Sequence, residues 1–328
     1  MPLVIGYHRV VEDFRVHSGG YMPSMLISVA TLEKHLDWIG QQYAYADPDQ
    51  MDRWLRGDRA GGKPVALISF DDGYRDVYEL AFPLLKRKGI PAVVFVVTDL
   101  VGSSRLQIHD ELYLLLARAV SAWRDPRRQL RAVLNEAQAS PPAGLDAGSV
   151  DPRVLMRTLF GTLGQAELLR IIRVLRRQVE LPESTVVELR SMDWSMLAEM
   201  RRAGIRTGSH TCSHALLTNE SAGRVAEELE GSMREITEHL GEAPLHLAYP
   251  DGRFDAAVAS AAAGAGYRFG YTTCAHRDPA HPQLTVPRRL LWENACLDAF
   301  GRFSPSVMSC QVNGVFDFAA RCGLHHAA

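Results

Sequence analysis

Val65-Ala66-Leu67-Ile68-Ser69-Phe70-Asp71-Asp72-Gly73-Tyr74 is the stretch on which the fold turns. Its first six residues are a short, largely apolar run without the alternation of a half-solvated strand. That pattern predicts a strand buried on both faces, as in a parallel sheet. The run then meets two adjacent carboxylates and a glycine. Parallel α/β sheets and barrels bind ligands where the carboxyl ends of their strands open into loops. Adjacent side chains point in different directions, so the two acids take different jobs: one can hold a metal ion while the other faces a substrate. An Asp-Asp-Gly turn also suits the start of a helix, and this string alone does not choose between the readings.

Outward from it, similar buried runs recur at Leu3–Tyr7, 92–97, Ile205–Ser209 and 245–249. Helical patterns separate them. Segment 31–43 carries Leu32, His35, Leu36 and Ile39 at helical spacing, 78–88 stops at Gly89, 195–203 stops at Gly204 and 224–240 stops at Gly241. Glycine just past the last periodic residue is a helix C-cap signal. Strand, loop and helix at this rhythm predict βαβ units and a parallel α/β sheet or barrel. From 105 to 190 the rhythm fails. Only helical patterns occur there, at 109–120, 127–138, 154–163 and 166–179, interrupted by the Pro- and Gly-rich 140–148. The expected division is a core of 1–104 and 191–300, a helical insertion at 105–190 and a tail at 301–328. Arg170, Arg173, Arg176 and Arg177 of the insertion can be read as a contact for an anionic substrate or lipid head group. The favoured reading is a solvated helix face behind Leu168, Ile171, Ile172 and Leu175.

The chain has 328 residues, 47% hydrophobic and 23% charged, with a formal charge of −2. Such a chain can bury a large core without disulfide staples. The balanced charge argues against a nucleic-acid partner, which calls for a basic excess. No apolar run approaches the roughly 18–20 residues that span a bilayer. The N-terminus lacks the basic and apolar segments of a secretory leader. Five scattered cysteines, Cys212, Cys274, Cys296, Cys310 and Cys322, include no C-x-x-C pair. They read as reduced thiols in a cytoplasmic protein, with association at a membrane surface left open.

Two further strings carry chemistry. Gly208-Ser209-His210-Thr211-Cys212-Ser213-His214 follows the run Ile205–Ser209. If the chain turns helical after His210, imidazoles at i and i+4 share a face and can grip one ion. Cys212 between them then points away. Two histidines with one carboxylate leave positions open on zinc, the pattern of a catalytic site. Leu247-Ala248-Tyr249-Pro250-Asp251-Gly252-Arg253 ends a further strand in a Pro-x-Gly turn able to aim a backbone N–H into a pocket, or to serve as an ordinary turn.

Together the three strings resemble those of the polysaccharide deacetylase family, metal-dependent carbohydrate de-N-acetylases on a distorted (β/α) barrel. The family's Thr-Phe-Asp-Asp-Gly stands here as Ser69-Phe70-Asp71-Asp72-Gly73, and its His-Ser/Thr-x-x-His as His210-Thr211-Cys212-Ser213-His214. The resemblance covers roughly 1–100 and 190–295. It implies that Asp71 is the general base and that Asp72, His210 and His214 hold a divalent metal: zinc, or else cobalt, nickel or iron. The third string departs from the family's Arg-Pro-Pro-Tyr-Gly. Ala248 takes the arginine position and Asp251 the tyrosine position, so the Asp251 backbone N–H is the candidate oxyanion donor. The base-orienting arginine must then come from elsewhere, with Arg288 and Arg289 as candidates. The family's late acid histidine has no match after Pro250; His276 and His281 lie in a polar loop and His325 and His326 in the tail. His8, ending Ile5-Gly6-Tyr7-His8, is similar to the opening Tyr-His of the circularly permuted poly-N-acetylglucosamine deacetylase branch and is the candidate general acid.

The implied activity is hydrolysis of an N-acetyl group on an amino sugar of a surface polysaccharide, a lipopolysaccharide or their precursor. An O-acetyl esterase or another amide hydrolase on the same site, and a non-catalytic glycan-binding barrel, are the competing readings. The expected partner is an N-acetylated sugar or glycan, and the sequence leaves the oligomeric state open.

Overall fold

The computed structural model describes residues 1–60, 62–143, 145 and 149–316. Six parallel strands lie side by side in chain order: β1 (Leu3–Tyr7), β2 (Val65–Phe70), β3 (Ala92–Val96), β4 (Ile205–Ser209), β5 (His246–Ala248) and β6 (Phe269–Thr272). Two short strands close the circle. β7 (Val286–Pro287) pairs with β6, and β8 (Arg289–Leu290), one residue further on, pairs with β1. One continuous run thus joins the sixth strand back to the first, and the fold is the nearly closed (β/α) barrel expected. The seam is closely packed at Gly6: a Cβ there would lie 2.5 Å from Leu290 Cδ2, and the leucine tip would have to move.

The register is fixed by burial. Every residue of β2 is buried, and Gly6, Ser69, Val93 and Arg206 lie side by side across β1 to β4. As β1, β2 and β4 end, the chain delivers His8, Asp71 with Asp72, and His210 to one rim.

Helices α1 (Val29–Gln42) and α2 (Phe82–Lys88) precede β2 and β3. Ser28 caps α1 by accepting from the Thr31 N–H, and Gly89 ends α2 in the left-handed region at φ 64°. Between β3 and β4 run α3 (Ile108–Ala122), α4 (Pro126–Glu136), α5 (Pro152–Thr162) and α6 (Gln165–Arg176). Leu112 and Leu115 of α3, Leu159 of α5 and Ile171 of α6 are buried in the same apolar cluster as barrel residues Ile5 and Ile68. Three of the four arginines of this segment engage the scaffold: Arg176 pairs with Glu111, Arg177 with Glu136, and Arg170 donates to the Ala137 and Gln138 carbonyls. Helices α7 (Trp194–Arg202), α8 (Ala222–Leu240) and α9 (Ala256–Gly264) complete the outer layer.

Two expectations need correction. A π-helical turn, Val77–Ala81, precedes α2 where a single helix was expected. Cys212, Cys296 and Cys310 are free, but Cys274 is disulfide-bonded, so the reading of all five cysteines as reduced thiols fails. Cys322, His325, His326 and the last part of the expected tail, 317–328, lie outside the described residues. No helix among those described is long and apolar enough to cross a membrane.

Candidate active site

A cleft of about 650 Å³ opens at the carboxyl ends of the strands, and His8, Asp71, Asp72, His210, His214, Asp251 and Arg288 all line it. Asp72 sits at its base, 1% exposed, with both carboxylate oxygens buried and without a hydrogen-bond partner among the described residues. A buried carboxylate without hydrogen bonds is expensive. Its surroundings explain it: His210 Nε2 is 3.6 Å and His214 Nε2 3.3 Å from Asp72 Oδ1. One ligand atom from each of the three residues lies within 4.8 Å of the others. His210 Nδ1 is 2.7 Å from the Ala248 carbonyl, which makes Nδ1 the protonated nitrogen and leaves the Nε2 lone pair facing Asp72. Burial pushes the His210 imidazole down to about 4, so it is neutral at pH 7, the state a metal ligand needs. The donor set therefore fits a divalent cation.

The two histidines do not converge through a helix. Residues 210–214 form a turn, with Thr211 at φ 68° and His214 at φ 60°. Thr211 Oγ1 accepts from the His214 N–H and Ser209 Oγ from the Thr211 N–H, which holds the reversal. Asp72 at φ 70° and Asp251 at φ 54° share this left-handed backbone. Four such non-glycine residues around one cleft, each costing on the order of 1–3 kcal/mol, mark a site whose geometry the surrounding fold enforces. Cys212 points to α8, 3.4 Å from the Glu228 carbonyl, and burial pushes its thiol up to about 12.

Asp71 is held differently. Arg288 Nη1 and Nη2 donate to its two oxygens at 2.6 and 2.7 Å, a bidentate pair with both side chains at most 3% exposed. Burial alone would raise the Asp71 carboxyl; Arg288, helped by His210 and His8, outweighs it and holds the group below the usual carboxylate range. The choice between the two arginines follows from strand alternation. Arg288 turns inward at the seam between β7 and β8, while Arg289 enters β8 opposite Ile5 and does not line the cleft. His8 Nε2 lies 4.0 Å from Asp71 Oδ2. The Asp251 N–H has no partner among the described residues, and the Asp251 carboxylate is engaged by Arg253 Nε at 2.9 Å.

The sequence reading missed His109. It stands on the first turn of α3, 5% exposed, with its Nε2 3.8 Å from Asp72 Oδ2 and 3.1 Å from the Tyr74 hydroxyl, which donates to Asp110 at 2.6 Å. Gln107 Nε2, one residue before α3, donates to the Asp72 carbonyl at 2.7 Å. The available signal was a polar triplet, His109-Asp110-Glu111, opening an otherwise apolar helix.

Carboxylates, imidazoles and an arginine thus gather over the open end of a parallel barrel. The profile of the polysaccharide deacetylase family matches residues 58–137 and 162–270, just over half of the sequence, and the chain belongs to that family. The match runs through much of the helical segment that the motifs alone had left out, and skips 138–161. YxkH of Bacillus subtilis (strain 168), itself assigned as a polysaccharide deacetylase, is 26% identical over 106 residues, which span 32% of this chain and 38% of that protein. The Streptococcus pyogenes deacetylase PplD in complex with acetate superposes with a TM-score of 0.60 at 17% identity, covering 95% of this chain and 97% of that one. IcaB from Ammonifex degensii gives 0.53 at 19% identity, covering 88% and 91%. The BpsB deacetylase domain from Bordetella bronchiseptica gives 0.52 at 18%, covering 88% and 95%. At these identities the likeness carries the fold.

Proposed function

We propose that this chain hydrolyses the N-acetyl group of an amino sugar in a surface polysaccharide, a lipopolysaccharide or one of their precursors, releasing acetate and a free amine. The observation that carries the reading is the buried Asp72 carboxylate, without a hydrogen-bond partner among the described residues and facing two imidazole Nε2 atoms, with a second carboxylate clamped by arginine alongside. A divalent metal on Asp72, His210 and His214, zinc first and cobalt, nickel or iron by availability, would supply Lewis acidity and a water of lowered pKa.

The chain's own groups do the rest. Asp71, kept ionised and oriented by Arg288, takes a proton from the attacking water as its oxygen adds to the acetyl carbonyl. The Asp251 N–H donates to the oxyanion that develops, an interaction whose loss typically costs roughly 3–4 kcal/mol of barrier. His8, protonated and on the Asp71 side of the cleft, gives a proton to the nitrogen as the C–N bond breaks. In this reading 1–104 and 191–300 form the catalytic core and 105–190 shapes the acceptor side. The test is acetate release from N-acetylated and O-acetylated oligosaccharides by the purified protein, with its metal content measured. Acetate from the N-acetylated substrate, lost on chelation and restored by added metal, is expected. Acetate from the O-acetyl ester alone, or from neither, would overturn the proposal.

A further inference from the structure

We infer that the acceptor glycan carries an oxyanion, a phosphate or a carboxylate, and that Arg153 and Arg157 of α5 bind it. The inference rests on the deacetylase reading above and adds the charge of the substrate.

The cleft wall on this side is one stripe of α5. Arg153, Met156, Arg157 and Phe160 all line the cleft, and their spacing of i, i+3, i+4 and i+7 places them on one helix face. Phe160 sets the inner end of the stripe: its ring stacks on His214 with centroids 5.7 Å apart and meets His109 edge-on at 6.1 Å. Arg253 Nη1 donates to the Gly161 carbonyl at 2.8 Å and so pins this end to the loop after β5. At 1.5 Å rise per residue, Arg157 and Arg153 start about 4.5 Å and about 10.5 Å further out along the helix.

Charge accounting singles out the same pair. Of the four arginines in the cleft, Arg288 is committed to Asp71 and Arg253 to Asp251. Arg153 and Arg157 are exposed, and neither side chain has an ion-pair or hydrogen-bond partner among the described residues. The adjacent acid, Asp151, uses its carboxylate to cap the backbone N–H groups of Arg153 and Val154. Two guanidinium groups one helical turn apart, above buried Met156 and Phe160, offer forked donors that match the planar or tetrahedral geometry of an oxyanion. The family profile skips 138–161, and both arginines lie in the skipped stretch.

The experiment uses the full chain and two charged probes, each beside an uncharged counterpart. These are N-acetylglucosamine 1-phosphate with methyl N-acetylglucosaminide, and a glucuronate-bearing N-acetylated disaccharide with its glucose analogue. Binding is measured by calorimetry on the Asp71→Asn protein, and acetate release on the parent. At least one charged probe is expected to bind tenfold or more tightly than its counterpart, with the preference in turnover appearing in KM. Arg153→Ala/Arg157→Ala should bring both ratios close to one, Arg153→Lys/Arg157→Lys should recover part of them, and raised salt should shrink them. The phosphate and uronate arms identify which oxyanion is read. Equal binding of charged and uncharged probes, or a preference that survives the double alanine change, would overturn the inference. A preference carried by the arginines without acetate from any probe would overturn the deacetylase reading alone; acetate without any preference would overturn only the present inference.

Discussion

Arg288→Met tests how the proposed base is held. The native pair is bidentate at 2.6 and 2.7 Å, almost wholly buried, and the guanidinium lies 5.3 Å from the Phe95 ring centre. Met keeps most of the volume and removes the charge, so Asp71 is left ionised and uncompensated in the barrel. Breaking a buried pair in this way costs roughly 3–5 kcal/mol, whereas replacing both members by apolar residues is often neutral. With an unfolding entropy of about 2.1 cal/mol/K per residue, the 328 residues give about 0.7 kcal/mol/K, and the single change lowers Tm by about 4–7 °C. Thermal unfolding is followed in chelator, because a bound metal would add its own linkage to the folded state. Asp71→Leu/Arg288→Met should regain most of the loss, giving a coupling of about 2–3 kcal/mol between the sites. A shift under 1 °C for Arg288→Met, or a double variant as unstable as the two single changes summed, would refute the claim that Arg288 compensates the buried Asp71 charge.

Asp72→Ala or His214→Ala should abolish stoichiometric metal binding and acetate release together, while Asp71→Asn should keep the metal and lose turnover. Elemental analysis beside the acetate assay reads both, and full turnover in Asp71→Asn would remove Asp71 from the proposed mechanism. Burial pushes His246 down to about 3 and His35 down to about 4, below the 6.5 expected of unfolded histidine. The unfolded chain therefore takes up these protons first, and the stability both groups allow above pH 6.5 drains away as pH falls toward 4. His246→Gln should flatten the pH dependence of unfolding free energy by about 1.4 kcal/mol per pH unit between pH 6 and pH 4 in denaturant titrations; an unchanged slope would contradict a neutral buried His246.

Much of the fold was legible because burial on both faces leaves an unmistakable mark. Leu3–Tyr7, Val65–Phe70 and Ile205–Ser209 coincide with strands, and 92–97 and 245–249 each contain one. Phe269–Thr272 escaped because Gly270 interrupts a four-residue run and leaves no period to read. Gly270 is needed there, since a Cβ would lie 2.3 Å from the Leu284 carbonyl oxygen. The strings Asp71-Asp72 and His210-x-x-x-His214 were visible as chemistry, but the backbone that brings them together was not. Left-handed Thr211 and His214 depend on contacts around the turn and on no local preference of a threonine. Arg288 and Arg289 could not be told apart in one dimension, because the inward direction is set by a seam 217 residues from Asp71. His109 could be noticed as part of a polar triplet but not assigned to the site for the same reason: only the docking of α3 turns its first polar turn toward Asp72.

The seam at 286–290 has a consequence for how the protein comes into being. The residues that fasten the barrel's last strand to its first are also the ones that deliver Arg288 beneath Asp71. A chain still emerging from the ribosome can lay down β1 to β6 in succession, each beside its predecessor, and yet lack the guanidinium that pairs with Asp71. Enclosure of the barrel and pairing of Asp71 arrive in one event, and a nascent or clipped chain that stops short of residue 286 has neither.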